Sequence, residues 1–374
     1  MKKFYFTILV ILPFWGLCQA LVIDHSCINL QSIPINWIDS AKANLNIAYG
    51  HTSHGSQLIS GLDAIESYFS SGTYNWNHTG SAGELHLFEG DGYGSGYLNH
   101  DCGYSGWDDL TREYLDSFPQ CNVIIWSWCG QVNSVDLQTH YFDRMDSLEN
   151  QYPDVEFVYM TGHLEGLGTG GSLYLANQQI RNYCIGNNKI LFDFAEIERY
   201  NPDGLTDYQQ YYADDGCNYN PSTGGTANWA NDWILANPTH ELTLISQQCS
   251  YCAHSECLNC TKKGIAAWHL WARLAGWDGV ITEIDETTFQ ANDVLSLAPN
   301  PVRNTLLLTL SHHHRGDIFI SLMNPEGRQV YSSKMIKREK IISETIETNH
   351  LLPGIYFLKV QIDQDVFVRK ICKL

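Results

Sequence analysis

Four short runs that are apolar on both alternating faces constrain this chain more than any other feature. They are LNIAYG (45–50), NVIIWSW (122–128), VEFVYMTG (155–162) and KILFDF (189–194). A strand with one wet face alternates apolar and polar residues, whereas a strand covered on both faces is apolar throughout. Between these runs lie amphipathic stretches: GSQLISGLDAIESYF, VDLQTHYFDRMDSLENQY and GSLYLANQQIRNYCIGN. In the second, Leu137, Tyr141, Met145 and Leu148 recur at helical spacing and read as core. Strand and helix in alternation predict an α/β body with a parallel sheet between two helix layers. KKGIAAWHLWARLAGW (262–277) reads as a closing helix that docks its Trp and Leu face on the sheet. Residues 21–280 are long enough to form one domain with a large core.

Two long segments break the alternation, 88–109 and 200 to about 249. Loops of that length in a compact domain are usually functional or inserted. Sites in parallel sheets lie beyond the carboxyl ends of the strands. The turn over 50–56, the turn over 129–133, His163 and Asp193 all fall at such ends.

The chain ends carry separate signals. Lys2 and Lys3 precede the apolar run FYFTILVILPFWGL, and a small residue, Ala20, closes the segment. Residues 1–20 therefore read as an export signal. Pro13 interrupts the run, which is short for a membrane span. Cys18 follows Leu17 rather than a small residue, which argues against a lipid anchor. No later stretch approaches the roughly 20 apolar residues of a spanning helix. At the other end, short β-rich runs alternate with Asn-Pro, Gly and Pro-Gly punctuation, predicting a small all-β sandwich over 297–374 after a linker at 281–296. PNPVRNTL, NPEGRQV, LPGIYFLKV and the terminal RKICKL resemble the C-terminal sorting domain of type IX secretion cargo. That resemblance implies export across the outer membrane of a Bacteroidota-type bacterium, with the secretion machinery as a partner.

Charge divides the chain at the same place. Residues 21–296 hold 9 Lys and Arg against 34 Asp and Glu, and residues 297–374 hold 11 against 7. An acidic body repels nucleic acid and anionic lipid, so neither is an expected partner. Twelve cysteines, eleven of them after the signal, fit an oxidising compartment. Cys249, Cys252, Cys257 and Cys260 cluster too tightly for the two facing knuckles of a zinc ribbon. They read as disulfide partners, in part with Cys217 or Cys184, with a structural metal as the alternative.

The stretch IAYGHTSHGSQLISGL (47–62) places two histidines and several hydroxyls where the first strand hands over to a helix. A serine there has helix-start N–H groups beside it to stabilise an oxyanion, but it needs a base. His254, just before the closing helix, can return to the same edge. An early serine and a late histidine in this order resemble the SGNH, or GDSL-like, hydrolase superfamily, a flavodoxin-like three-layer fold. The resemblance implies Ser53 as nucleophile, with Ser56 as fallback, and His254 as base. It implies an oxyanion hole of the Ser53 N–H, Gly106 and Gln131, with Asn133 as an alternative to Gln131. It implies no cofactor. The superfamily places an aspartate three residues before the base, and Tyr251 stands there. Asp193, with Glu196 behind it, is the candidate acid, and a backbone carbonyl is another possible support.

The implied activity is deacylation of an extracellular carbohydrate or similar ester, with Tyr93, Tyr97, Tyr104 and Trp107 available to stack on sugar rings. Two other classes remain open. His51, His54, His163, Asp193 and His254 can be read as ligands of a metal-dependent hydrolase, although no HExxH spacing is present. A non-catalytic glycan-binding surface protein would also use this fold. The Asp/Gly/Asn loops have no EF-hand spacing for calcium.

Overall fold

The structure, a computed structural model, describes residues 20–90, 98–279, 294–311, 315–324, 329–339, 341–362 and 365–374. The export signal, most of the linker, Tyr93 and Tyr97 lie outside the described residues. Chain contacts divide it into two units, at residues 282 and 283.

The first unit is built on seven strands: β1 (Leu21–Ile23), β2 (Asn46–Gly50), β3 (Trp76–Asn77), β4 (Leu85–Gly90), β5 (Val123–Trp126), β6 (Glu156–Met160) and β7 (Ile190–Phe192). Their order is β1-β7-β6-β5-β2-β4-β3, and every pairing is parallel. The four apolar runs are β2, β5, β6 and β7. The outer strands β1, β3 and β4 carry no such signal, because they are short or less uniformly apolar.

Nine labelled helices accompany the sheet: α1 (Ile35–Asn44), α2 (Ser56–Tyr68), α3 (Trp107–Ser117), α4 (Asp143–Gln151), α5 (Ser172–Gly186), α6 (Phe194–Glu198), α7 (Trp229–Ala236), α8 (Glu241–Ser246) and α9 (Cys257–Leu274). Successive residues of one strand point to opposite faces. Ile47, Tyr49, Val123 and Ile125 accordingly enter one core with α1, α2 and α9, while Ala48, Ile124 and Trp126 enter the other with α3, α4 and α5. The body is thus the expected three-layer α/β arrangement. Leu137, Tyr141, Met145 and Leu148 are all buried. A hairpin of β8 (Asn218–Tyr219) and β9 (Ala227–Asn228) interrupts the second long loop.

The closing helix begins five residues earlier than expected and buries more than its Trp and Leu face. Lys262 and Lys263 lie wholly inside. Lys263 Nζ meets Glu198 Oε1 at 2.8 Å and also donates to Gln57. Lys262 donates to the carbonyls of Ile197 and Tyr200 and stands 4.4 Å from the centre of the Trp229 ring.

The second unit is an antiparallel sandwich. Strands β10 (Val294–Ala298), β11 (Thr305–Ser311) and β14 (Ile341–Glu347) form one sheet; β12 (Gly316–Met323), β13 (Gln329–Lys337), β15 (Gly354–Ile362) and β16 (Asp365–Lys373) form the other. Leu306, Leu308 and Leu310 from the first sheet share a core with Ile318, Ile320, Leu358 and Val360 from the second.

Among the four clustered cysteines, Cys252 and Cys260 form a disulfide. Cys257 Sγ donates to the Cys249 carbonyl at 3.1 Å. Cys217 and Cys184 are not their partners: both are buried free thiols, with Cys217 Sγ 3.4 Å from Ser255 Oγ. The Cys252–Cys260 bond also removes the four-thiolate zinc alternative, since a disulfide sulfur is no longer a thiolate ligand.

Candidate active site

Strand β2 ends at Gly50, and the residue there must be glycine. A Cβ would lie 2.3 Å from the Trp126 ring on neighbouring β5. The chain then turns through a single helical turn, Ser53–Gly55, directly into α2. Tyr49 Oη donates to the Gly55 carbonyl at 2.8 Å, and Thr52 Oγ1 donates to Asp101 Oδ2 at 2.6 Å. Both bonds hold the turn up at the sheet edge.

On that turn, Ser53 Oγ lies 2.8 Å from His254 Nε2. The two residues are 201 positions apart, and the expected pair is formed. Ser56 is engaged locally instead, its hydroxyl donating back to the Ser53 carbonyl at 2.6 Å. His254 has a left-handed backbone, with φ of 61°. Such a conformation is uncommon for a residue with a side chain and costs of order 1–3 kcal/mol. The buried ion pair under the edge supports the position. Gln57 Nε2 donates to the Ala253 carbonyl at 2.5 Å, while its Oε1 accepts from Lys263. Glu198 Oε2 accepts from the Leu164 N–H at 2.8 Å, and Asn259 Nδ2 donates to Glu198 Oε1 at 3.1 Å. One buried charge pair therefore anchors α2, the His254 segment and the segment after β6.

Above it, three imidazoles stack. The His54 ring is 4.0 Å from that of His163, within 6° of parallel, and 4.3 Å from that of His254, within 14°. His54 Nε2 meets Asp215 Oδ2 at 2.9 Å, and His54 Nδ1 lies 3.6 Å from Cys129 Sγ. Burial pushes the His54 imidazole below its ordinary pKa, against the pull of Asp215. Burial pushes the Asp215 carboxyl up, but the His54 hydrogen bond and the nearby His163 and His254 more than offset it, leaving it below the usual carboxylate value. Burial thus favours the neutral form of His54, and its hydrogen bond favours the ionised form of Asp215.

Asp193 is engaged elsewhere. Its carboxylate is taken by Arg181, with Nε at 2.5 Å and Nη2 at 2.8 Å, and by Thr161 Oγ1 at 2.9 Å. It also caps α6 through the Glu196 N–H. Glu196 is engaged as well, with His25 at 3.2 Å and Arg199 at 3.1 Å. The carboxylate that sequence reasoning missed is Asp215, in the loop YYADDGCNYN. The length of that loop is the only signal for it, because Asp215 bonds His54 rather than His254 and stands at no motif spacing from either.

The oxyanion candidates separate. Ser53 opens its helical turn, where an amide N–H has no carbonyl in the helical ladder. Gln131 is near: its Oε1 accepts from the Cys129 N–H, and its Nε2 reaches Asp101 only at 3.4 Å. Gly106 caps α3 beside the Tyr104 ring. Gly103 is the glycine against Gln131, where a Cβ would lie 2.4 Å from the amide carbon. Asn133 is held elsewhere by Ser172 Oγ at 2.8 Å. Trp107 is fully buried and no sugar platform, whereas Tyr104 is exposed and stacks on His100 at 4.1 Å.

The metal reading also loses members. His51 is buried and paired with Glu89 at 3.0 Å, and Asp193 is held by Arg181. Ligand atoms of His54, His163 and Asp215 do lie within 4.8 Å of one another. Imidazole lone pairs lie in the ring plane, however, and those of parallel rings run side by side. An ion about 2 Å from one nitrogen in its ring plane is well out of the plane of the other.

Residues 296–373 match the family described as the secretion system C-terminal sorting domain. No curated protein matches the chain. Among solved structures, dimeric latent PorU from Porphyromonas gingivalis is similar at 19% identity and a TM-score of 0.19, covering 23% of this chain and 10% of that one. The endo-β-1,4-mannanase from Thermotoga petrophila is similar at 11% identity and a TM-score of 0.20, over 88% of this chain and 64% of that one. A β-glucosidase from Listeria innocua follows at 8% identity and a TM-score of 0.21, over 88% and 46%. The chain thus spans less than two thirds of each of these structures. The sorting domain marks the protein as type IX cargo, exported to the surface or beyond. No helix among the described residues is long and apolar enough to cross a membrane.

Proposed function

We propose that the exported body is a serine hydrolase of ester bonds, acting on acyl groups of an extracellular carbohydrate or related polymer. One observation carries this reading: the 2.8 Å contact between Ser53 Oγ and His254 Nε2, which is the reach that proton abstraction requires. Ser53 attacks the ester carbonyl as its proton passes to His254. The developing oxyanion is met by the Ser53 N–H and the Gln131 amide. His254 returns the proton to the leaving alcohol, and a water then hydrolyses the acyl-serine with the same imidazole as base. Asp215 makes no direct bond to His254. Its charge, delivered beside the stacked His54, favours the imidazolium that forms on His254. The carbohydrate preference rests on export and on the exposed Tyr104.

The test is hydrolysis of p-nitrophenyl acetate by residues 21–374, compared with Ser53→Ala. Turnover falling on the order of 10²-fold or more supports the nucleophile. Unchanged turnover in a folded variant rejects it.

A further inference from the structure

We infer that Cys129 is a second nucleophile at this edge, a thiol with His54 as its base and Asp215 as the group that fixes the tautomer of that base. This goes beyond the Ser53 reading and does not require it. Nucleophile, imidazole and carboxylate stand in an unbroken line: Cys129 Sγ to His54 Nδ1 at 3.6 Å, and His54 Nε2 to Asp215 Oδ2 at 2.9 Å. Asp215 accepts the Nε2–H, so the His54 lone pair is on Nδ1 and faces the thiol. The carboxylate orienter that the Ser53–His254 pair lacks is present here.

Position and access agree. Cys129 follows β5, the strand beside β2, at the same carboxyl edge of the sheet. It is half-buried, whereas Cys102, Cys121, Cys184 and Cys217 are buried. Cys102 Sγ donates to the Ser127 carbonyl and Cys121 Sγ to that of Val123; Cys129 Sγ faces an imidazole instead. Next to it, a Cβ on Gly130 would meet nothing within 4 Å, so the approach is open. The charged and titratable groups around His54 are Asp215, His163, His254 and, more deeply, Glu198.

The substrate class is a small ester or thioester. The thiol proton passes to His54 Nδ1 as Sγ attacks the carbonyl carbon. A C–S bond forms, the bond from carbon to the leaving oxygen or sulfur breaks, and the leaving group departs with the proton from His54. Water then cleaves the acyl-thiol, giving one proton to His54, which returns it to Sγ as the acid is released.

The test is iodoacetamide labelling of residues 21–374 between about pH 5 and 9, with each cysteine followed by peptide mass spectrometry. Half-exposed Cys372 in the sorting domain is the internal reference. Near pH 6, Cys129 is expected to react at least about tenfold faster than Cys372, as a base-activated thiol does. His54→Gln and Asp215→Asn should each bring its rate down to that of Cys372. Buried Cys184 stays unlabelled while the fold holds; if His54→Gln exposes it, the isosteric Asp215→Asn decides. Cys129 tracking Cys372 at every pH overturns the inference, as does a folded variant in which its rate is unchanged. In a Ser53→Ala background, p-nitrophenyl acetate should leave an acetyl group on Cys129. An unacetylated Cys129, in a chain whose parent acetylates Ser53, would remove the thiol and leave the serine.

Discussion

Gly61 of α2 and Gly264 of α9 touch backbone to backbone. A Cβ on Gly61 would lie 2.0 Å from the Cys260 carbonyl oxygen, and one on Gly264 would lie 2.4 Å from the Gly61 carbonyl carbon. Ser53 precedes α2 and His254 precedes α9, so this crossing sets how near the two side chains can come. Gly264→Ala is expected to cost about 1–3 kcal/mol through overpacking, and to lower ester turnover by more than the unfolded fraction explains. Gly186→Ala, at the open end of α5, serves as the control. Urea denaturation and rates on the same samples separate the two effects.

His254→Ala should lose as much turnover as Ser53→Ala. Residues that act as a unit are non-additive. The double variant should therefore be no slower than the slower single one. Independent, multiplying losses would show that the contact is structural.

Removing one member of the buried charge pair strands the other. Lys263→Met is expected to cost about 3–5 kcal/mol by leaving Glu198 unpaired. Adding Glu198→Gln should restore part of that stability, because the stranded charge is then gone. Chemical denaturation of the two variants gives the comparison.

Acid should destabilise the body before it titrates the carboxylates. His269 is buried, its Nδ1 has no partner among the described residues, and burial lowers its pKa to about 4. The unfolded value is near 6.5. A lowered histidine gives stability that is complete above the unfolded pKa and is lost as pH falls from about 6.5 towards about 4. The loss is on the order of 2–3 kcal/mol. His269→Phe should flatten that window in melting experiments. Asp215, also depressed, adds a loss only at lower pH, as its own carboxyl takes up a proton.

The Cys252–Cys260 bond closes a short loop around His254. The chain-entropy relation puts its stabilisation at about 2–3 kcal/mol. Cys252→Ser/Cys260→Ser should lose about that much in denaturation, and the position of His254 should loosen, raising KM or lowering kcat.

The central sheet was legible because doubly covered strands are apolar on both faces, as VIIW in β5 is. The Ser53–His254 pair was legible for a related reason: both residues sit just before helices that follow the topology. The acid was not. Asp193 occupies a strand end, the right address, but Arg181 reaches it from α5, and sequence spacing does not reveal such a cross-layer partner. Asp215 lies in a loop, where no periodicity reports position. Lys262 and Lys263 look like a solvated helix start in the sequence. They are buried because Glu198 and two carbonyls wait inside. Motif spacing alone favours Gly106 over Gly103, and close packing against Gln131 distinguishes them only in three dimensions.

The bridge that straddles His254 has a bearing on when the site becomes complete. Thiols remain reduced in a bacterial cytosol and are joined only outside it. Before export, no covalent tie crosses the segment that carries the imidazole in its left-handed backbone. Passage out of the cytosol therefore couples delivery of the body to the oxidation that fastens the His254 segment.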